Sequence, residues 1–218
     1  MNTSLILYRL SGWSQDIIWL IVCWQAIQRK WYWQKHTKYF FIFIITITVL
    51  ELIYAITAVL MPNNLFLDYI YIPIEFILLG FFLQGIIKVK RLKRIVLFCS
   101  ILFVGFQIYN AFWGEGLDNF NSYGAPINSF YLIILSAWAC SVSFRNSMSK
   151  SLFKTPESWF VVGILLNFSS VIIFDLLYSQ AVPYKNDTLL YGILITQNFL
   201  KCIFILFFLK GISLIRKL

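Results

Sequence analysis

Charge is what this sequence has least of. Asp, Glu, Lys and Arg make up 12% of the 218 residues, about half the share of an ordinary soluble domain, while hydrophobic residues make up 60%. That balance leaves too little polar material for a solvated surface and predicts a polytopic membrane protein. Histidine is nearly missing as well. His36 stands alone, so the His and Asp clusters that metal-dependent membrane hydrolases need cannot be assembled. Cys23, Cys99, Cys140 and Cys202 all fall inside apolar runs, with no CxxC spacing; they read as small hydrophobes and leave the redox compartment open. No GxSxG, HExxH, Walker loop or dinucleotide fingerprint occurs. A Ser–Lys dyad on Lys201 is the one catalytic arrangement left, and no second signal supports it, so an enzyme is not expected. The first ten residues carry Arg9 but neither a clean apolar stretch nor a small-residue cleavage site, so no cleaved signal is expected.

What the chain has is long apolar runs. Six segments, 39–60, 68–87, 95–113, 128–144, 159–180 and 189–209, are long enough to cross about 30 Å of hydrocarbon. A seventh, 11–28, is interrupted by Asp16 and Gln25 and must recruit its flanks. The fold class predicted is all-α, a single seven-transmembrane-helix bundle over 1–218. Thr155-Pro156-Glu157 is a good helix start, combining a capping hydroxyl, a first-turn proline and an acid at the positive end of the dipole. Trp31, Tyr32, Trp33 and Trp159 would anchor the inner boundary, and Trp113, Tyr123 and Tyr184 the outer one. The longest outer connection, 114–127, reads as a structured turn region. The triplet Asn186-Asp187-Thr188 is a glycosylation sequon by pattern, meaningful only on a eukaryotic secretory route.

The net charge of +9 could indicate nucleic acid, but its distribution argues for loops facing an anionic membrane surface. With seven spans, one side holds Arg29, Lys30, Lys35, Lys38, Lys88, Lys90, Arg91, Lys93, Arg94, Arg145, Lys150, Lys154, Lys210, Arg216 and Lys217, against Arg9 and Lys185 on the other. The positive-inside rule then predicts an outer N-terminus and a cytoplasmic C-terminus in a bacterial inner membrane. Lys88, Lys90, Arg91, Lys93 and Arg94 form its densest basic cluster, a surface for anionic lipid or for a partner.

Four ionisable residues sit well inside spans: Glu51, Glu75, Asp175 and Lys201. Each costs roughly 2.5–3.5 kcal/mol at a helix centre, so each should face the bundle interior and find partners. Glu75 stands thirteen residues before Lys88 and Glu51 thirteen after Lys38, which puts both about 20 Å from the inner boundary. The third span ends FFLQGI (81–86) and the seventh FFLKGI (207–212). That offset superposes Glu75 on Lys201 and, with a two-residue gap, Glu51 on Asp175. It raises a three-plus-one-plus-three duplication and makes Glu75 and Lys201 natural partners at one depth. Asn198 and Gln197 share a helix face with Lys201, and Asn110, Asn167, Ser169 and Ser170 could also turn inward. Pro73, two residues before Glu75, could kink the third span. Two readings stay open: a charge pair that fixes helix packing, and a ligand or proton site.

A lysine in the seventh span raises the question of retinal. Microbial rhodopsins place an aspartate four residues earlier and an Arg-Tyr-x-Asp-Trp-like run in the third span; here Gln197 takes the first place and the run is missing, so no cofactor is expected on Lys201. The segments YIPIEFILLGFF (71–82), DNFNSYGAPINSFYLIIL (118–135), PESWFVVGILLNFSS (156–170) and NFLKCIFIL (198–206) resemble a group of small seven-span membrane proteins of Bacteroidota that has no established activity. The resemblance implies that an acid of the second span, the IEF acid of the third and the lysine of the last belong together, here Glu51, Glu75 and Lys201. It also tilts the expected function towards sensing. The expectation is a multi-pass protein whose polar core senses or binds a small signal and relays it to a membrane or signalling partner. The alternatives are a small-solute or proton-coupled transporter, and a structural subunit of a membrane complex.

Overall fold

A computed structural model describes residues 3–29, 36–61, 63–119, 121–146, 154–181 and 187–215. Seven α-helices account for most of them: α1 (Thr3–Gln28), α2 (Thr37–Leu60), α3 (Asp68–Ile87), α4 (Lys90–Trp113), α5 (Gly124–Asn146), α6 (Pro156–Ala181) and α7 (Asp187–Ser213). The six helices α2 to α7 are long and apolar enough to cross a membrane, and the chain is a helical bundle of the multi-pass membrane kind. Trp31, Tyr32, Trp33, Tyr184, the sequon asparagine Asn186, and Lys30, Lys35, Lys150, Lys185, Arg216 and Lys217 lie outside the described residues.

Helix ends follow local chemistry. Pro156 opens α6, and the Thr155 hydroxyl bonds the Ser158 hydroxyl at 2.7 Å. Pro73 is buried within α3, which continues through it to Ile87. The turn from α3 to α4 consists of Lys88 and Val89. Lys88 takes a left-handed conformation (φ 59°) and its amide donates to the Gln84 carbonyl at 3.0 Å, while Val89 is extended. α4 therefore begins at Lys90 rather than near 95. Lys90, Arg91, Lys93 and Arg94 stand exposed on its first turns, around the buried Leu92. Cations there oppose the helix dipole, so helix stability is not what places them.

The helices close into a ring. α1 packs on α2, α2 on α3, α3 on α5, α5 on α6, α6 on α7, and α7 back on α1. α4 stands outside the ring against α3, through the stripe Val96, Ser100, Phe103, Gln107 and Asn110; beyond its basic first turns its outer surface, with Phe98, Ile101, Leu102 and Phe112, is exposed and apolar. Exchanging α1–α3 with α5–α7 leaves the ring's neighbour pairs unchanged, and it places α3 and α7 opposite each other.

α1 belongs to this ring although its sequence is the least apolar. Gln15, Trp19, Val22 and Ala26 are buried at helical spacing, whereas Leu10, Trp13, Ile17, Leu20 and Trp24 are exposed. Gln15 is the polar group on the buried face, and most of the large apolar side chains turn outward, the arrangement lipid favours. The seam with α7 is polar: Asn198 donates to the Ser11 hydroxyl at 3.1 Å, Ser14 lies 3.8 Å from the Cys202 sulfur, and Arg29 donates to the Ile215 carbonyl.

Towards the C-terminal end of the bundle the centre is filled by rings. Phe160 stacks on Phe40 at 4.2 Å, and Phe40 meets Phe82 at 4.8 Å and Phe208 at 5.1 Å. Small residues let the backbones approach here: a Cβ on Gly163 would come within 2.8 Å of Phe208, and one on Gly211 would enter the Phe160 ring.

Candidate functional site

Above that aromatic floor the interior turns polar. A cavity of about 40 Å³ lies among α1, α2, α3, α6 and α7; its polar lining is Gln15, Tyr71, Glu75, Asn167 and Lys201. Trp19, Phe43 and Phe208 are among its apolar walls. The volume is roughly a tenth of an ordinary ligand pocket and accommodates about two or three water molecules.

Glu75 is buried, and its Oε2 accepts a hydrogen bond of 2.7 Å from the Asn128 amide of α5. Glu51, on α2, accepts at Oε1 from the Gln15 amide at 3.2 Å. Lys201 reaches the cavity from α7, across the ring from Glu75. Among the described residues no lysine or arginine nitrogen stands within 4.0 Å of a carboxylate oxygen. The cavity between α3 and α7 separates the two charges, so Glu75 and Lys201 face each other without forming a contact pair. Asn198 turns from Lys201 towards Ser11, and one Asp175 oxygen, Oδ2, is buried without a hydrogen-bond partner.

The ammonium of Lys201 is the common electrostatic neighbour of Glu51, Asp68, Glu75 and Asp175. One cation thus serves four carboxyl groups. Among the described residues no three His, Cys, Asp or Glu side chains are grouped closely enough to hold a metal ion. The arrangement can store and exchange protons through carboxyl groups and water.

Sequence reasoning missed five residues here. Gln15 and Asn128 are ordinary amides until the ring brings them to Glu51 and Glu75. Tyr54, Asp68 and Tyr71 carried a readable signal: Glu51 and Tyr54 are one turn apart on α2, and Asp68, Tyr71 and Glu75 share a face of α3. Asn110, expected to turn inward, is buried, but in a separate knot at the N-terminal end. There it donates to Glu115 at 2.7 Å, and Asn121 donates to Gln107 at 2.7 Å and accepts from the Gly124 amide at 2.9 Å. This knot shapes the 114–123 connection. A wider groove of about 590 Å³ between the ends of α6 and α7 has no ionisable side chain among its described lining residues. No protein-family model, curated protein or solved structure matches the chain.

Proposed function

We propose that the chain is a seven-span protein of a bacterial inner membrane, with its N-terminus outside and its C-terminus in the cytoplasm. In this reading the Glu51–Glu75–Lys201 core takes up a small signal from outside, in the first place the proton, and relays it to a membrane partner. The observation that carries the reading is the cavity: Glu75 and Lys201 face each other across a space that fits water and not a solute, with Glu51, Asp68 and Asp175 as further electrostatic neighbours of the ammonium. The aromatic floor of Phe40, Phe82, Phe160 and Phe208 closes the side that becomes cytoplasmic, which favours a sensor open to one side. The likeness to the small seven-span proteins of Bacteroidota, with Glu51, Glu75 and Lys201 as its shared charges, supports the same reading. The largely apolar outer face of α1, with Leu10, Trp13, Ile17, Leu20 and Trp24, supports its being the seventh span. The basic cluster at the head of α4 is then a cytoplasmic surface for anionic lipid or the partner.

Proton-coupled transport is the second reading, favoured by the exchange symmetry of the ring, which resembles the repeat architecture of alternating-access carriers. Infrared difference spectra of the protein in liposomes after a pH step separate the two. A sensor is expected to give a reversible carboxyl band, lost in Glu75→Gln, with no proton flux to an entrapped pH dye. Flux would select the transporter, and a flat carboxyl region would leave only a packing role for the cluster.

Orientation has its own test. Asp118→Cys is the suitable probe because Asp118 is exposed, while neighbouring Gly116 holds a left-handed backbone (φ 84°) that a side chain would strain. In intact cells from which the outer membrane has been removed, a membrane-impermeant maleimide is expected to label Asp118→Cys. A fluorescent reporter fused after Leu218 is expected to fold in the cytoplasm. Labelling only after lysis would reverse the assignment.

A further inference from the structure

The polar groups do not stop at the cavity. They continue along the seam between α2 and α3 to the N-terminal end of the bundle. We propose that this seam is a proton path, entered at Asp68 and running through Tyr54, Glu51 and Tyr71 to Glu75; the proposal rests on the proton-uptake reading above.

Asp68 is the first residue of α3 and is half-buried beside the short 3-10 turn Leu65–Leu67. The Tyr54 hydroxyl donates to its carboxylate. The Tyr54 and Tyr71 rings meet edge-on with centroids 6.3 Å apart, and Tyr71 lines the cavity together with Glu75. The Tyr71 phenol has Glu75, Glu51, Tyr54 and Asp68 as electrostatic neighbours, so it stands on the path. From Asp68 to Glu75 is seven residues of one helix, about 10 Å along the axis.

Phenols and carboxyl groups suit a relay because each can donate and accept through oxygen. A hydronium ion at the entrance gives its proton to the Asp68 carboxylate and leaves as water. The Asp68–Tyr54 hydrogen bond then reverses: Asp68 donates its proton to the Tyr54 oxygen while the Tyr54 hydroxyl proton passes on towards the Glu51 carboxylate, one turn away. Both donors return to their starting forms, and the net change is one proton moved from water to Glu51. In the last step Glu51 gives this proton to the Tyr71 oxygen while the Tyr71 hydroxyl proton passes to Glu75 along the cavity wall, where water fits, so that Glu51 and Tyr71 return to their starting forms.

The other elements packed against this path offer few competing groups. On α1 the charged neighbour of Glu51 is Asp16. On α6 and α7 they are Asp175 and Lys201. From α5, Asn128 holds Glu75 and Tyr131 stacks on Phe76 of α3, with Cys99 of α4 beside it. Glu115, in the connection after α4, is a neighbour of Tyr69 on another face of α3.

The test is the rate of proton uptake rather than its extent. In liposomes, after a fast drop in external pH, the carboxyl band assigned by Glu75→Gln is expected to rise roughly 10²-fold more slowly in Tyr54→Phe and Asp68→Asn than in the unaltered protein. Its final amplitude should be nearly unchanged in Tyr54→Phe. Tyr71→Phe, which keeps the ring and its packing, is expected to slow it as well. Unchanged rates in all three variants would overturn the path while leaving the uptake site standing. No band in the unaltered protein would overturn the uptake site itself and the path with it. A variant with a lowered melting temperature but an unchanged rate would mark the Tyr54–Asp68 bond as a clamp, which also overturns the path.

Discussion

Lys201→Met is expected to destabilise the bundle more than any other single polar substitution, by about 3–5 kcal/mol, the usual loss when one side of a buried charge arrangement is removed. The methionine keeps most of the side-chain volume, so packing contributes little to the loss. What disappears is the ammonium that Glu51, Asp68, Glu75 and Asp175 share as an electrostatic neighbour. Glu75→Gln is expected to cost less, because Asn128 can still bond a carboxamide. The double variant should recover part of the Lys201→Met loss, with a coupling of about 0.5–3 kcal/mol. Equilibrium unfolding in mixed micelles with increasing denaturing detergent measures all three. Losses that add within about 0.5 kcal/mol would mean that the two groups do not sense each other across the cavity.

Phe160→Ala is expected to be the most damaging apolar change. Phe160 is fully buried, stacked on Phe40, and in edge contact with Phe82 and Phe208 at 6.2 and 6.4 Å. Lipid tails are as apolar as the bundle interior, so transfer out of water contributes little to holding these helices together. The loss is one of packing: a void of roughly 100 Å³ at about 24 cal/mol per Å³ gives about 2–3 kcal/mol. Phe112→Ala is the control, since Phe112 is 67% exposed on the outer face of α4 and lipid fills the space left. Equal losses for the two in the same unfolding assay would refute the packing account. The same floor closes the cavity from below, so Phe160→Ala should also speed the leak of protons through liposomes that contain the protein.

The sequence by itself determined the helices, since no other element can satisfy its own backbone within a single apolar segment in lipid. Its six strongest runs became α2 to α7 with ends shifted by a few residues. The largest shift is at α4, where the basic side chains Lys90 to Arg94 reach solvent from within a helix, so hydropathy stops short of the true start. The first helix was legible only in part. Gln15 and Asp16 lower its mean hydropathy, and a sum over residues cannot tell which way a side chain turns. The charges at Glu51, Glu75, Asp175 and Lys201 were visible because lipid makes each of them costly and therefore rare. Their partners were not. Asn128 is 53 residues from Glu75 and Gln15 is 36 from Glu51, and no local rule connects them. Neighbours around a ring are set by how helix surfaces interlock, which depends on all the helices at once. Only the tertiary structure could place α4 outside the ring, set α3 opposite α7, and put a water-sized cavity where a direct Glu75–Lys201 contact was the simpler expectation.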